Sequence, residues 1–247
     1  MSLRARLAAR AGAPWIGGHR GDAERAPENT LPAFTAAIAA GAQLVECDVR
    51  MTADGRLAVI HDPTVERTTD GVGAVAAMTW AQLRALDAGG WFGPAFRGAR
   101  VPELAELLAL ARGRCGVVVE VKSEPEAPAD PVAPLLEAVR AAGMADEVVV
   151  VGFDHRLVAA VAQAAPGLLT GLNLAGRPLD PAGLCRAAGA AVLSVEWESA
   201  DVALGAQLHD AGMQLLVWTV DDRLALGRAR AAGADAVLTN RPSSLRA

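Results

Sequence analysis

The strongest constraint on this chain is an alternation in which short apolar runs rich in β-branched residues are separated by alanine- and leucine-rich stretches of helical period. That pattern marks repeated βα units, whose strands pair in parallel and need helices to cover them. The runs predict eight strands: Trp15 to Gly18, Leu44 to Val49, Val117 to Val121, Val148 to Gly152, Leu169 to Leu172, Val192 to Glu196, Leu215 to Thr219 and Ala236 to Thr239. The 247 residues are close to the length of about 250 typical of one closed eight-stranded barrel. The expected fold class is therefore α/β, a (β/α)8 TIM barrel, with residues 1–247 forming a single domain.

A ninth apolar run, Leu57 to His61, follows Thr52-Ala53-Asp54-Gly55, where Asp-Gly predicts a tight hairpin turn. It is expected to return antiparallel above the barrel and to open an insertion at about 51–100, after the second strand. Gly71, Gly73, Gly89, Gly90, Trp91 and Phe92 predict a small loop-rich subdomain there, over the barrel mouth. Helical period resumes at Val101-Pro102-Glu103-Leu104, with Pro102 and Glu103 expected in a first helical turn.

Composition narrows the function classes. A net charge of −5 and a pI near 5.4 give no general attraction for nucleic acid or an anionic membrane, so an anionic substrate needs locally placed cations. Arginine supplies nearly all the positive charge, and Lys122 is the sole lysine. Cys47, Cys115 and Cys185 lie far apart without CxxC spacing, which argues against a disulfide framework or a zinc site and fits a reducing compartment. The N-terminal arginines and alanines give way to glycines and a histidine by Gly17 to His19, leaving no apolar signal segment. The uncharged stretch Leu157 to Gly176 is broken by Gln163, Pro166, Gly167 and Asn173 and does not read as a membrane span. A cytoplasmic protein is expected, with no nucleic-acid partner and no stable membrane insertion; the apolar segments of the insertion allow a homodimer without requiring one.

In such barrels chemistry sits at the C-terminal ends of the strands. Residues two apart on a strand share a face, so Glu46 and Asp48 point one way and Cys47 the other, and Glu120 and Lys122 share a face on another strand. Three carboxylates converging at a mouth repel one another unless they share a cation, and hard oxygen ligands suit Mg²⁺ or Ca²⁺. Glu46, Asp48 and Glu120 are thus candidate metal ligands; the competing reading pairs one or two of them with Arg20, Arg50 or Lys122. His19 and Arg20 follow the first strand, and His61 ends the hairpin run, so both imidazoles are candidates for general acid and base, and Arg20 for phosphate binding. Lys122 reads either as a point charge on phosphate or as a Schiff-base amine. His155, behind the N-cap candidate Asp154, and His209, on a helical segment, read as structural. Pro27-Glu28-Asn29-Thr30 reads mainly as a helix entry, and Trp218 as either a cleft wall or core.

The order HRGDAERAPENT, VECDVRMTADGRLAVIHD, TVERTTDG, VEVK and VWTVDD, running from about Trp15 to Pro242, resembles the glycerophosphodiester phosphodiesterase family. The resemblance implies a TIM barrel with an insertion after the second strand. It implies hydrolysis of glycerophosphodiesters such as glycerophosphocholine or glycerophosphoethanolamine to sn-glycerol 3-phosphate and an alcohol. It places the catalytic histidines on His19 and His61, the carboxylates of one divalent cation on Glu46, Asp48 and Glu120, and the phosphate-facing cations on Arg20 and Lys122. Two positions depart from the pattern: Gly152 where a serine is expected, and Asn240 where an aspartate is usual. Neither is expected to touch the acids or the histidines. The nucleophile is water or the neighbouring glycerol hydroxyl, the latter giving a cyclic phosphate as in the similar phospholipases C. The rivals are a Schiff-base aldolase using Lys122 and a phosphodiester-binding barrel without turnover.

Overall fold

The computed structural model of the protein describes residues 1–9, 12–123 and 130–245. In chain order its elements are α1 (Leu3–Ala8), β1 (Trp15–His19), α2 (Leu31–Ala39), β2 (Leu44–Met51), β3 (Leu57–Val59), α3 (Trp80–Ala85), α4 (Leu104–Ala111), β4 (Gly116–Val121), α5 (Val132–Ala141), β5 (Val148–Gly152), α6 (His155–Ala164), β6 (Leu169–Leu174), α7 (Pro181–Ala187), β7 (Val192–Glu196), α8 (Val202–Asp210), β8 (Gln214–Trp218), α9 (Arg223–Ala231) and β9 (Ala236–Thr239). All strands but β3 pair in parallel, and β1 bonds to both β2 and β9, closing an eight-stranded (β/α)8 barrel. Each run read as a barrel strand is one, to within two residues at either end. Among the described residues no helix is long and apolar enough to cross a membrane.

The pleat sorts the side chains. Val45, Cys47 and Val49 of β2, and Val117, Val119 and Val121 of β4, pack outward with the helices. Leu44, Val118, Val149, Leu169, Val192, Leu216, Ala236 and Leu238 form a separate cluster with Leu3 and Leu7, filling the barrel interior. Helix α1 is therefore a plug, an element that the alanine-rich N-terminus does not announce. Further along the same inward faces the residues turn polar: His19, Glu46, Asp48, Glu120, Asn173 and Ser194.

β3 lies antiparallel on β2, with Val49 opposite Val59, and the Thr52 N–H to Arg56 carbonyl bond of 2.9 Å closes the turn in which Gly55 sits at φ +79°. The chain from β3 to α4 has its own small core of Ala58, Ile60, Val65, Val75, Leu83 and Val101. Helix α4 starts at Leu104, later than its sequence suggests, because Glu103 stays extended as the cap and donates its N–H to the Glu106 carboxylate at 2.9 Å.

The β1–α2 junction is unusually tight. A Cβ on Gly18 would lie 2.6 Å from the Gly21 carbonyl oxygen, and one on Gly21 (φ +87°) would lie 2.5 Å from the Ala33 carbonyl carbon. The two glycines let the chain fold back over the end of β1, and Arg20 and Asn29 are then held at φ +57°, a left-handed conformation that costs a non-glycine residue about 1 kcal/mol or more. For arginine in particular, that conformation persists only where surrounding bonds fix it, and those bonds belong to the site below.

Candidate active site

Strand β2 carries Glu46 and Asp48, and β4 carries Glu120, with Asp48 and Glu120 paired directly across the ladder. One oxygen from each of the three lies within 4.8 Å of the others, and all three residues are buried. Burial and the charges of Asp48 and Glu120 push the Glu46 carboxyl well above its ordinary range, and burial with the Asp48 charge raises Glu120. Burial acts on Asp48 in the same direction but is overcome by Lys122, Arg20 and His61, which hold it low. The Lys122 ammonium lies 2.8 Å from Asp48 Oδ1 and also touches Glu120, so it too stays charged, its pKa raised against burial by those two carboxylates. The donor set fits a hard divalent cation: three oxygens, no sulfur, and two carboxyls that resist ionising without added positive charge.

A chain of ion pairs surrounds the acids. The Arg20 backbone N–H donates to Glu46 Oε2 at 2.8 Å; its guanidinium lies 3.3 Å from Asp48 and 2.8 Å from Glu28. Arg67 clasps Glu28 through both terminal nitrogens at 2.8 Å and reaches Asp62 at 2.5 Å. Asp62 in turn accepts from His61 Nδ1 at 2.7 Å. The sequence Asp48–Arg20–Glu28–Arg67–Asp62–His61 thus ties the inserted segment to the first βα loop and fixes His61 beside the acids.

The two imidazoles are oriented alike and supported differently. His61 Nδ1–H donates a hydrogen bond to the Asp62 carboxylate. His19 Nδ1 meets Asn240 Oδ1 at 2.8 Å, while Asn240 Nδ2 donates to Asp221 Oδ2 at 2.6 Å. Because Asp221 can only accept, the Asn240 oxygen must face His19, which therefore carries its proton on Nδ1 and leaves Nε2 as a lone pair, 4.0 Å from Glu46. Burial, reinforced by Arg20, lowers the His19 pKa below its ordinary value of 6.5. Asn240 therefore does touch a histidine, contrary to the expectation from sequence, because the β9 end abuts β1 where the barrel closes.

His19, Arg20, Glu46, His61, Glu120 and Lys122 line a cavity of about 220 Å³ together with Phe153, Asn173, Ser194 and Trp218. Trp218 is half-buried and packs edge-on against Phe153, with centroids 5.9 Å apart, so it faces the cavity rather than the helices. Asn173 donates to Glu120 at 3.0 Å, while Asn173 Oδ1, Ser194 Oγ and Trp218 Nε1 are buried without a protein hydrogen-bond partner. Sequence reading missed Glu28 and Asn29, taken as helix entry. Thr30 is indeed the cap of α2, but Asn29 Nδ2 donates to Asp48 Oδ2 at 2.8 Å and Asn29 Oδ1 accepts from the Asp48 N–H at 3.3 Å. A polar tripeptide just before a capped helix was the available signal. His155 and His209 lie outside the site: His155 follows the cap Asp154 and bonds the Asn173 carbonyl, and His209 pairs with Asp235 at 3.0 Å.

The chain is similar in sequence and in fold to known proteins. The model of the glycerophosphoryl diester phosphodiesterase family matches residues 19–244. A glycerophosphodiester phosphodiesterase of Caldanaerobacter subterraneus subsp. tengcongensis is 34% identical over 92% of this chain and 94% of its own. The crystal structure of a glycerophosphodiester phosphodiesterase from Agrobacterium tumefaciens superposes with a TM-score of 0.80 at 32% identity, covering 93% of this chain and 97% of the other. An Oleispira antarctica phosphodiesterase, solved in complex with the product sn-glycerol-3-phosphate, superposes with a TM-score of 0.88 at 27% identity, covering 95% and 96%.

The raised carboxyls predict a pH signature. Above the ordinary value of 4.5 and up to its raised value, Glu46 holds a proton in the folded chain that it has released in the unfolded one. Stability therefore falls as pH rises across that window. His19, with a lowered pKa, works oppositely below 6.5, so the readout is the difference from Glu46→Gln. Thermal unfolding in chelator is expected to show this fall in the protein and a weaker one in Glu46→Gln, and Mg²⁺ or Ca²⁺ should raise the melting temperature of the protein far more than that of the variant.

Proposed function

The chain belongs to the glycerophosphoryl diester phosphodiesterase family and is an enzyme of that class; we propose that it hydrolyses glycerophosphodiesters to sn-glycerol 3-phosphate and an alcohol with one divalent cation and two histidines. The observation that carries this reading is the convergence of three buried carboxylate oxygens within 4.8 Å, beside a cavity where His19 and His61 each have Nδ1 engaged and Nε2 left for chemistry.

Glu46, Asp48 and Glu120 would hold the cation, Mg²⁺ or Ca²⁺, which when bound supplies Lewis-acid neutralisation of phosphoryl charge. Arg20 and Lys122, on the cavity wall, add to that neutralisation. The two histidines divide the proton work according to what stands behind them. His19, half-buried, of lowered pKa and backed by a neutral amide, is neutral at pH 7 and takes the proton of the attacking water on Nε2. His61, held through Nδ1 by the Asp62 carboxylate, serves as the acid, an imidazolium that gives its Nε2 proton to the departing alkoxide as the bond from phosphorus to that oxygen breaks. Asn173 Oδ1, Ser194 Oγ and Trp218 Nε1 offer polar atoms to the glycerol hydroxyls, and the Phe153–Trp218 pair walls its carbon face. Sn-glycerol 3-phosphate as the bound product of the Oleispira antarctica neighbour supports this choice of ligand. A Schiff-base role for Lys122 is disfavoured, because two carboxylates keep its amine protonated and so non-nucleophilic. The three free, buried cysteines suit the cytoplasmic location that the sequence suggests.

Release of sn-glycerol 3-phosphate from glycerophosphocholine and glycerophosphoethanolamine is expected to stop in chelator and to return with Mg²⁺ or Ca²⁺. His19→Ala and His61→Ala should each lose about a hundredfold or more in kcat; chelator-resistant turnover, or two near-normal variants, would overturn the mechanism. A cyclic phosphate seen by phosphorus NMR would replace water by the glycerol hydroxyl as nucleophile. Asp221→Asn no longer forces the Asn240 oxygen toward His19, and is expected to lower kcat at least about tenfold, with KM nearly unchanged, by releasing the wrong tautomer.

A further inference from the structure

Glu28 stands in the middle of the ionic chain, bonded to Arg20 on one side and to Arg67 on the other. We infer that Glu28 is a positioning residue for protonation of the leaving group: it seats Arg67, and through Arg67 and Asp62 it sets the rotation of the His61 imidazole. The inference rests on the phosphodiesterase reading above, with His61 as its acid.

The main chain and the ring of His61 are held by different parts of the molecule. The main chain hangs on β2: the Ile60 N–H donates to the Asp48 carbonyl at 3.0 Å, and Arg50 Nε donates to the His61 carbonyl at 2.7 Å. The ring is set by Asp62, whose Oδ1 meets Nδ1 at 2.7 Å. Asp62 is partly exposed and turns both oxygens to Arg67, accepting from Nε at 2.5 Å and from Nη2 at 3.0 Å. Arg67 is nearly half exposed, and its other edge rests on Glu28 through Nη1 and Nη2 at 2.8 Å each. An exposed ion pair is a weak anchor, because water screens it and both side chains lose freedom in forming it. The Arg67–Asp62 pair therefore needs a third member to fix a ring, and Glu28, with 14% of its side chain exposed, joins the pair to the barrel.

Glu28 is itself fixed by the turn that carries it. The Asn29 N–H donates to the Arg20 carbonyl at 3.0 Å, and Asn29, left-handed at φ +57°, sends its side-chain amide to Asp48 while Glu28 reaches Arg67. Burial works against charge on Glu28, but Arg67 and Arg20 outweigh it and hold the carboxyl below its ordinary range. Its Oε1 accepts from both arginines at 2.8 Å. One carboxylate thus aligns the phosphate-side guanidinium directly and the imidazole through two intermediates. Neutralising it leaves the main chain of His61 on β2 and frees the ring to turn, and a misplacement of about 1 Å can cost about a hundredfold in rate.

The nature of the leaving group separates this role from a merely structural one. Glycerophosphoethanolamine expels an alkoxide that needs a proton as it departs, whereas glycerol 3-(p-nitrophenyl phosphate) expels a phenolate that leaves as the anion. The Arg20 end of Glu28 acts on the phosphate common to both diesters and so cancels in the ratio of their kcat values. That ratio, ethanolamine diester over nitrophenyl diester, is expected to fall about tenfold or more in Glu28→Gln, and further in His61→Ala. Should Glu28→Gln fail to fold in a thermal unfolding check, Arg67→Met reads the same link, with the same fall expected. An unchanged ratio in the support variant, with a lowered one in His61→Ala, would overturn the positioning role alone. An unchanged ratio in His61→Ala would overturn His61 as the acid and the inference with it. Absence of hydrolysis of either diester by the unmodified protein would overturn the phosphodiesterase reading.

Discussion

Mutual repulsion among three buried carboxylates governs this protein. Glu46, Asp48 and Glu120 are brought together by the parity of two adjacent parallel strands, and a barrel interior is the wrong place for negative charge unless positive charge is supplied. Nearly every polar feature around them answers that need: Lys122 touching two of them, Arg20 paired with Asp48, its backbone N–H on Glu46, Asn29 on Asp48 and Asn173 on Glu120. The left-handed backbone at Arg20 and Asn29 is the local cost of aiming those donors inward, and tight glycine packing against α2 holds it.

The same charges organise what lies above the barrel. The segment between β3 and α4 has a core of its own, yet it is anchored over the mouth by Arg67, which bridges Glu28 of the first loop and Asp62 of the insertion. His61 is thereby positioned by an ionic chain that begins at Asp48, whereas His19 is positioned by the seam where the barrel closes. The two imidazoles thus have opposite supports, one anionic and one neutral.

Much of this was legible in the sequence because it follows from period. Strand positions, the inward turn of Glu46 and Asp48 against Cys47, and the antiparallel return after Asp54-Gly55 all depend on alternation and turn chemistry, which are local. What was hidden depends on distant contacts. Nothing near Asn240 in the chain points to His19, 221 residues away, and only barrel closure makes them neighbours. Glu28 and Asn29 were masked by a valid local explanation, since a capped helix does begin at Thr30 and accounts for a polar run without any site. The plug formed by Leu3 and Leu7 was hidden for a similar reason: a six-residue helix has too few apolar positions to display a period.

The most direct test is a crystal structure grown with Mn²⁺ and sn-glycerol 3-phosphate, with the ion located by its anomalous scattering. One ion bonded to oxygens of Glu46, Asp48 and Glu120, at roughly 2.0–2.3 Å as hard divalent cations require, with the Nε2 atoms of His19 and His61 facing the same phosphorus from opposite sides, is the predicted result. An ion bound elsewhere while Lys122 keeps its place on Asp48 and Glu120, or a phosphate reached by neither imidazole, would contradict it.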